Sequence, residues 1–488
     1  MSINRRRFLQ AASAFSATAL FNKAAFAAEP TPLPIPPIDQ GVVRDGVRHF
    51  ALATQYGNSE FFKGYSTATM GYNGAYLGPT LRVRRGEELA IRVANQLDIP
   101  TTTHWHGMVL PAKMDGGPHQ MIAPGSDWHS TYPVNQRGST LFYHAHTHGA
   151  TGEQVYRGLA GTLLVDDDRY DALNLPDEYG VDDIPLILQD RDFDERGQFA
   201  YLRMMPDRMI GKHGKHFLIN GAIAPVFHAR KTLIRLRLIN ASNARFYRLA
   251  FSDNRAFSLI GSDGGLLPAP VTLKSLELAP AERYEILVDL SDREPVILKT
   301  LAGAGNTTHG PMRMLGMGEE ASLLLIDPRS ASESKREIPA QLVAEPDWFQ
   351  TARAKTERTV ALQMQMMSGM GGHNEAMLIN GQAFDMRRID FRLKPNQFEL
   401  WKVQNHSSLE HPFHIHNTQF RVLSRNGQPV PAQERGLKDT VIVRQREEVR
   451  ILMPTGPYTD ERIPYMFHCH ILEHEDAGMM GQFLVTSG

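Results

Sequence analysis

One cysteine, Cys469, stands in 488 residues, so no disulfide can form within the chain. The formal net charge is only -1, which removes the basic field that nucleic acid or an anionic membrane would need; neither is expected as a partner. Beyond the N-terminus no stretch is apolar enough to cross a bilayer, and the mature protein is expected to have no membrane span. Long runs with helical periodicity are missing too. Turn formers are plentiful, 40 Gly and 30 Pro, and they separate short alternating runs such as Leu81-Arg82-Val83-Arg84. That pattern belongs to antiparallel sandwich strands, and the length points to about three domains.

The first residues read as an address. Arg5, Arg6 and Arg7 precede Phe8-Leu9 and a small, apolar run from Ala11 to Phe21 that is too short to span a membrane. The segment resembles a twin-arginine export signal, and Ala25-Phe26-Ala27 offers the small-x-small pattern of a cleavage site. Residues 1–28 are therefore expected to be a signal peptide, cut after Ala27, and the protein to be periplasmic. A lone cysteine in that oxidising compartment is exposed to oxidation unless it is buried or ligated.

Three segments look alike: Leu89 to Asn95, Ile234 to Asn240 and Leu400 to Asn405, each an alternating run ending at Asn. They are read as one strand repeated in three related domains, with boundaries near Asp168 and Pro328 and a polar linker from Arg329 to Pro346. The expected domains are thus 29–168, 169–328 and 329–488. Nine and eleven residues beyond Asn95 stand His104 and His106, and the same offsets from Asn405 give His414 and His416. From Asn240 they give Leu249 and Phe251. The site is therefore expected at the junction of the first and third domains, with the middle one a spacer.

Twenty His in 488 residues would give fewer than one His-x-His by chance, yet five occur. They are His104/His106, His144/His146, His146/His148, His414/His416 and His468/His470. Residues i and i+2 of a strand share a face, so each pair can present two imidazoles to one cavity. Imidazole suits copper, zinc, iron and nickel alike, so the pairs point to a polynuclear site before they point to a metal. In His468-Cys469-His470 the cysteine must face away from its neighbours, towards a second site. His474, Met479 and His411 stand near it in the motifs, and two His, one Cys and a weak Met is the ligand set of a blue copper electron-transfer centre. The first domain is an internal control: Ala145 stands at the Cys469 position, Ala150 at that of His474 and Thr101 at that of His411.

His104-Trp105-His106-Gly107, His144-Ala145-His146-Thr147-His148-Gly149, His411-Pro412-Phe413-His414-Ile415-His416 and His468-Cys469-His470 through Met479 resemble, in order, the four copper motifs of the multicopper oxidases. The resemblance spans almost the whole mature chain. It implies an all-β protein of three cupredoxin-like Greek-key β-sandwich domains and four copper ions. It implies type 1 ligands His411, Cys469, His474 and Met479, and type 2 ligands His104 and His414. His106, His144, His146, His416, His468 and His470 would hold the type 3 pair. The implied activity is oxidation of a substrate at type 1 copper coupled to reduction of dioxygen to water. A monomer is expected.

Four protons must accompany four electrons to dioxygen, so buried carboxylates near the site are expected to act as general acids. Asp115 and Glu475 match acidic residues with that role in similar bacterial oxidases. His148 is expected to orient a neighbouring ligand through a hydrogen bond.

For the substrate, Asn380 to Met386 and the Glu475-to-Met480 ending most resemble the periplasmic cuprous oxidases of copper tolerance. Soft thioethers bind Cu(I), and Met364, Met366, Met367 and Met370 are candidate substrate-copper ligands. Met377 follows them, and Met312, Met314 and Met317 form a second group. Gly369, Gly371 and Gly372 argue for a loop there. Against this group, its long Met- and His-rich insert is cut to about fifteen residues, and Ser407 and Leu409 replace its Asp and Met. A laccase-like oxidase of phenols or aromatic amines is the runner-up. A non-enzymatic copper-binding or cell-division scaffold is the third reading, disfavoured by the complete ligand set.

Overall fold

The computed structural model describes residues 31–305, 318–369 and 372–487; the expected export signal lies outside them. The regular structure of the described chain is mostly strand, in six sheets that pair into three sandwiches. Strands between Ile38 and Asp166 make the first, those between Asp183 and Asp327 the second, and those between Thr356 and Val485 the third.

The repeat seen in the sequence is a repeat of structure. Glu88–Asn95, Leu233–Asn240 and Phe398–Asn405 occupy matching places in the three sandwiches. Each ends on an Asn whose amide donates to two carbonyls: Asn95 to Ile99 and Ile122, Asn240 to Arg245 and Leu278, Asn405 to Leu409 and Val443. Each Asn oxygen also accepts the backbone N–H two residues on. One buried side chain thus turns the chain out of the strand and supplies partners for backbone groups that would otherwise be lost in the core.

In each sandwich the following short strand enters the second sheet: His104–His106, Tyr247–Phe251 and His411–Ile415. Its neighbour is Ser139–His144, Val296–Thr300 or Tyr465–Cys469 respectively. Each sandwich has its own apolar core. Leu249 and Phe251, at the offsets that elsewhere carry histidine, are buried in the middle one.

The middle domain is more than a spacer, which corrects the expectation from sequence. Leu233–Asn240 is buried at every position, including Arg235 and Arg237 on its polar face. Arg237 pairs with Asp183 and Glu285 and donates to Thr140 of the first sandwich at 2.8 Å. The hidden charges are satisfied across the domain boundary, so offset counting, which scores only histidine, could not detect the contact.

The Met-rich segment also differs from the expected loop. Thr356–Gly369 and Gly372–Ile379 are antiparallel strands with Met364 opposite Met377 and Gly369 opposite Gly372. The first glycine and the last pair across a hairpin end instead of breaking a strand. Met364 is half-buried against the third core and Met377 lies within it. The side chains of Met366 and Met367 lie outside the described residues, as do Met370, Met312, Met314 and Met317. No helix among the described residues is long and apolar enough to cross a membrane.

Candidate metal centre

Two adjoining strand pairs build the site. In the first domain His104 faces His144 across the ladder; in the third, His414 faces His468 and Phe413 faces Cys469. The same alternation that turns His468 into the domain junction turns Cys469 into its own domain's core.

At the junction the eight imidazoles, none more than 3% exposed, converge from both domains. His146, His416 and His468 form one trio, with Nε2 of His468 3.2 Å from Nε2 of both others. His106, His144 and His470 form a second, with Nδ1 of His106 3.4 Å from Nε2 of His144. His104 and His414 remain between them, grouped with His106. Nδ1 of His104 donates to the Asp115 carbonyl and Nδ1 of His414 to that of Asp439, both at 2.8 Å, leaving each Nε2 a free lone pair.

Those nitrogens test whether a metal fits. Nε2 of His104 and of His414 and both ring nitrogens of His470 are buried without a hydrogen-bond partner. Orphaned polar atoms at this density are costly in a folded protein unless something absent from the chain satisfies them. Burial first, and then mutual repulsion, hold His104, His106, His146, His414, His416 and His470 far below the usual imidazole range. His144 is pushed down to about 4, mainly by burial. These seven rings are neutral, the protonation state in which imidazole binds metal.

The second site lies on the other face of the strand. Cys469 Sγ is 3.3 Å from Nδ1 of His411 and 3.6 Å from Nδ1 of His474, and those two nitrogens are 3.3 Å apart. Met479 is fully buried beside them, its carbonyl accepting the Cys469 N–H at 3.1 Å. Burial pushes the Cys469 thiol well above its usual range, so a thiolate here needs a cation to neutralise it. A buried Cys with two neutral imidazoles fits a soft metal.

Both expected proton donors touch the cluster from behind. Asp115 Oδ2 is 2.7 Å from Nδ1 of His416, and burial pushes its carboxyl up to about 6. Glu475, fully buried, places its oxygens 3.3 Å and 3.2 Å from Nδ1 of His146 and His468, in contact but out of hydrogen-bond alignment. His148 does not orient a ligand as expected. It is exposed and packs against the ring of Phe384, because the strand ends at His144 and residues 148–150 form a turn.

Sequence reasoning missed three partners. Asp439 lies 3.1 Å from Nε2 of His106 and is gripped by Arg283 of the middle domain. Ser407 Oγ meets Nε2 of His411 at 2.7 Å. The carbonyl of Met209, also from the middle domain, accepts from Nε2 of His474 at 2.9 Å. None carries a local motif; each works through a fold contact, and only the departure at Ser407 was visible.

Three β-sandwiches with a Cys/His site joined by adjacent residues to a two-domain cage of eight histidines define a protein built to hold several metal ions. Multicopper oxidase family models match residues 53–170, 194–297 and 355–488. The multicopper oxidase mco of Staphylococcus haemolyticus is 38% identical over 450 residues, 91% of this chain and 90% of its own. The cell division protein FtsP of Xenorhabdus nematophila is 36% identical over 488 residues, 100% of this chain and 99% of its own. Among solved structures, a laccase-like multicopper oxidase CueO from an Ochrobactrum species, described with oxidase activity towards lignin model compounds, superposes with a TM-score of 0.83. It is 35% identical and covers 93% of this chain and 100% of its own. The chain belongs to the multicopper oxidase family, whose members bind copper.

Proposed function

We propose that the protein is a copper oxidase in which a reductant is oxidised at the Cys469 site and dioxygen is reduced to water at the histidine cage. His411, Cys469, His474 and Met479 would hold type 1 copper. His104 and His414 would hold type 2 copper, and the trios His106/His144/His470 and His146/His416/His468 would each hold one type 3 ion. Copper supplies the one-electron chemistry at both places. The observation that carries this reading is the set of buried, neutral, unpartnered imidazole nitrogens beside a buried thiol. A scaffold role, suggested by the relatives named for cell division, gives no reason to keep such nitrogens together.

The peptide of Cys469 and its neighbours His468 and His470 joins the two sites covalently. His104, His144, His414 and His468 turn Nε2 inward because backbone carbonyls fix the opposite nitrogen of each ring. Asp115, with a carboxyl at about 6, holds a proton under mildly acidic conditions, and Glu475 faces the same His146/His416/His468 trio that Asp115 touches. These two would hand protons to the oxygen being reduced. The Arg5 to Arg7 signal would direct the folded protein to the periplasm as a monomer.

The favoured substrate is Cu(I), in copper tolerance. Met364 packs on the third-domain core that also contains Met377, Cys469 and Met479, which puts soft sulfur in the domain that would hold type 1 copper. The laccase-like reading rests on Ser407: a neutral hydroxyl, rather than a cation-binding carboxylate, meets the outer edge of His411. Replacing Met364, Met366, Met367 and Met370 together by Leu removes the soft ligands at nearly constant volume. Cu(I)-dependent oxygen uptake should fall well below wild type while phenol oxidation persists. Full Cu(I) turnover in that variant would favour the laccase-like reading.

A further inference from the structure

We propose that Arg283 and Asp439 are positioning residues that fix which nitrogen of His106 faces the metal cage, and that the middle domain is through them a working part of that cage. The inference rests on the oxidase reading above.

His106 is turned the opposite way from its neighbours. His104, His144, His414, His416 and His468 each engage Nδ1 with an oxygen and leave Nε2 facing inward. In His106 it is Nε2 that meets an oxygen, Oδ1 of Asp439 at 3.1 Å, and Nδ1 that faces His144. A carboxylate accepts and cannot donate, so this contact places the proton on Nε2 and the lone pair on Nδ1.

Asp439 is itself held. Arg283 donates from both terminal nitrogens to its two oxygens, each at 2.6 Å, the bidentate fork that only guanidinium offers. The carboxylate cannot rotate away from His106 while that fork is in place. The remaining donors of Arg283 reach the Thr140 carbonyl of the first domain at 3.1 Å and the Ala281 and Asp263 carbonyls of the middle domain at 3.0 Å and 3.2 Å. One fully buried guanidinium therefore ties all three domains together at the ring of one imidazole. The Asp439 backbone carbonyl also accepts from Nδ1 of His414 at 2.8 Å, so one residue orients an imidazole from each outer domain.

A second observation is independent of these hydrogen bonds. Gly107, next to His106, has φ +87°, and a Cβ there would lie 2.7 Å from both Arg283 Nη2 and Asp439 Oδ2. The chain is pared to glycine where the pair passes.

The test compares wild type with Asp439→Asn, Arg283→Gln and Arg283→Lys after copper loading. It reads copper per chain, resistance to a chelator, the electron paramagnetic signal of the cage and the blue absorption of the Cys469 site, which serves as the control for folding. Copper affinity at the cage should fall about 10- to 100-fold in Asp439→Asn and Arg283→Gln, with a changed cage signal and an unchanged blue band. Arg283→Lys, which keeps the charge and loses the fork, should recover part of the loss. Full cage copper with a wild-type signal in Asp439→Asn would overturn the proposal, as would loss of the blue band in step with cage copper. A wild type that takes up no cage copper at all would instead remove the oxidase reading beneath it.

Discussion

The first and third domains share a plan, and at the same place in it one carries a metal pocket and the other a plug. His144 pairs with Ala160 as His468 pairs with Met480, and the Ala145 N–H donates to the Leu159 carbonyl as that of Cys469 donates to Met479. That register sets Thr101, Ala145, Ala150 and Leu159 against His411, Cys469, His474 and Met479. In the first domain Gln154 fills the gap, accepting from the hydroxyls of Thr101 at 2.8 Å and Thr147 at 2.9 Å and donating to the Pro100 carbonyl at 2.9 Å. A place without metal must close its own polar groups, and here it does so completely. The third domain instead keeps a buried thiol and two imidazoles whose Nδ1 atoms converge within 3.3–3.6 Å of one another and of Cys469 Sγ, and that gathering of metal-binding atoms in place of a plug argues for an ion there.

The largest effect should come from making the third domain like the first. Cys469→Ala should abolish the blue absorption and substrate oxidation together, while copper in the histidine cage stays, measured by absorption, oxygen uptake and copper content. Next, His106→Ala should spare the blue band and abolish oxygen reduction, because only the junction loses a ligand. Loss of the blue band with intact oxygen chemistry would break the division into two sites.

Asp115 should give a smaller, pH-dependent effect. Its carboxyl donates only when protonated, and it is protonated below about 6, so turnover limited by oxygen reduction should decline as pH rises through that value. In Asp115→Asn that limb should vanish and turnover should fall by roughly 10²-fold; a profile unchanged in the variant would remove Asp115 as donor. Smallest should be Gln154→Ala, which strands the Pro100 carbonyl and the Thr147 hydroxyl. It should cost about 1–3 kcal/mol of stability in denaturant titration, with blue band and turnover intact.

The clustering of the histidines and of Cys469 was legible in the sequence because strand geometry is local. A two-residue period forces His468 and His470 one way and Cys469 the other, and Asn95, Asn240 and Asn405 mark the repeat because each satisfies the same backbone groups. What the sequence hid depends on distant contacts. Arg283 is 156 positions from Asp439, and nothing in its neighbours marks it as a partner of His106. The glycines near Met370 read as loop formers because a hairpin end and a broken strand use the same residue type, and only pairing tells them apart. The separation of six histidines into two trios likewise required the fold.

In the proposed oxidase one chain holds a cysteine-bound copper wired to a three-copper cage. That arrangement is tested most directly by measuring copper content and blue absorption on one copper-loaded sample, before and after anaerobic reduction and then on admission of dioxygen. Four coppers per chain should be found, with a blue band that bleaches on reduction and returns with dioxygen. A colourless protein holding a single zinc, or a blue one whose band does not return with dioxygen, would contradict it.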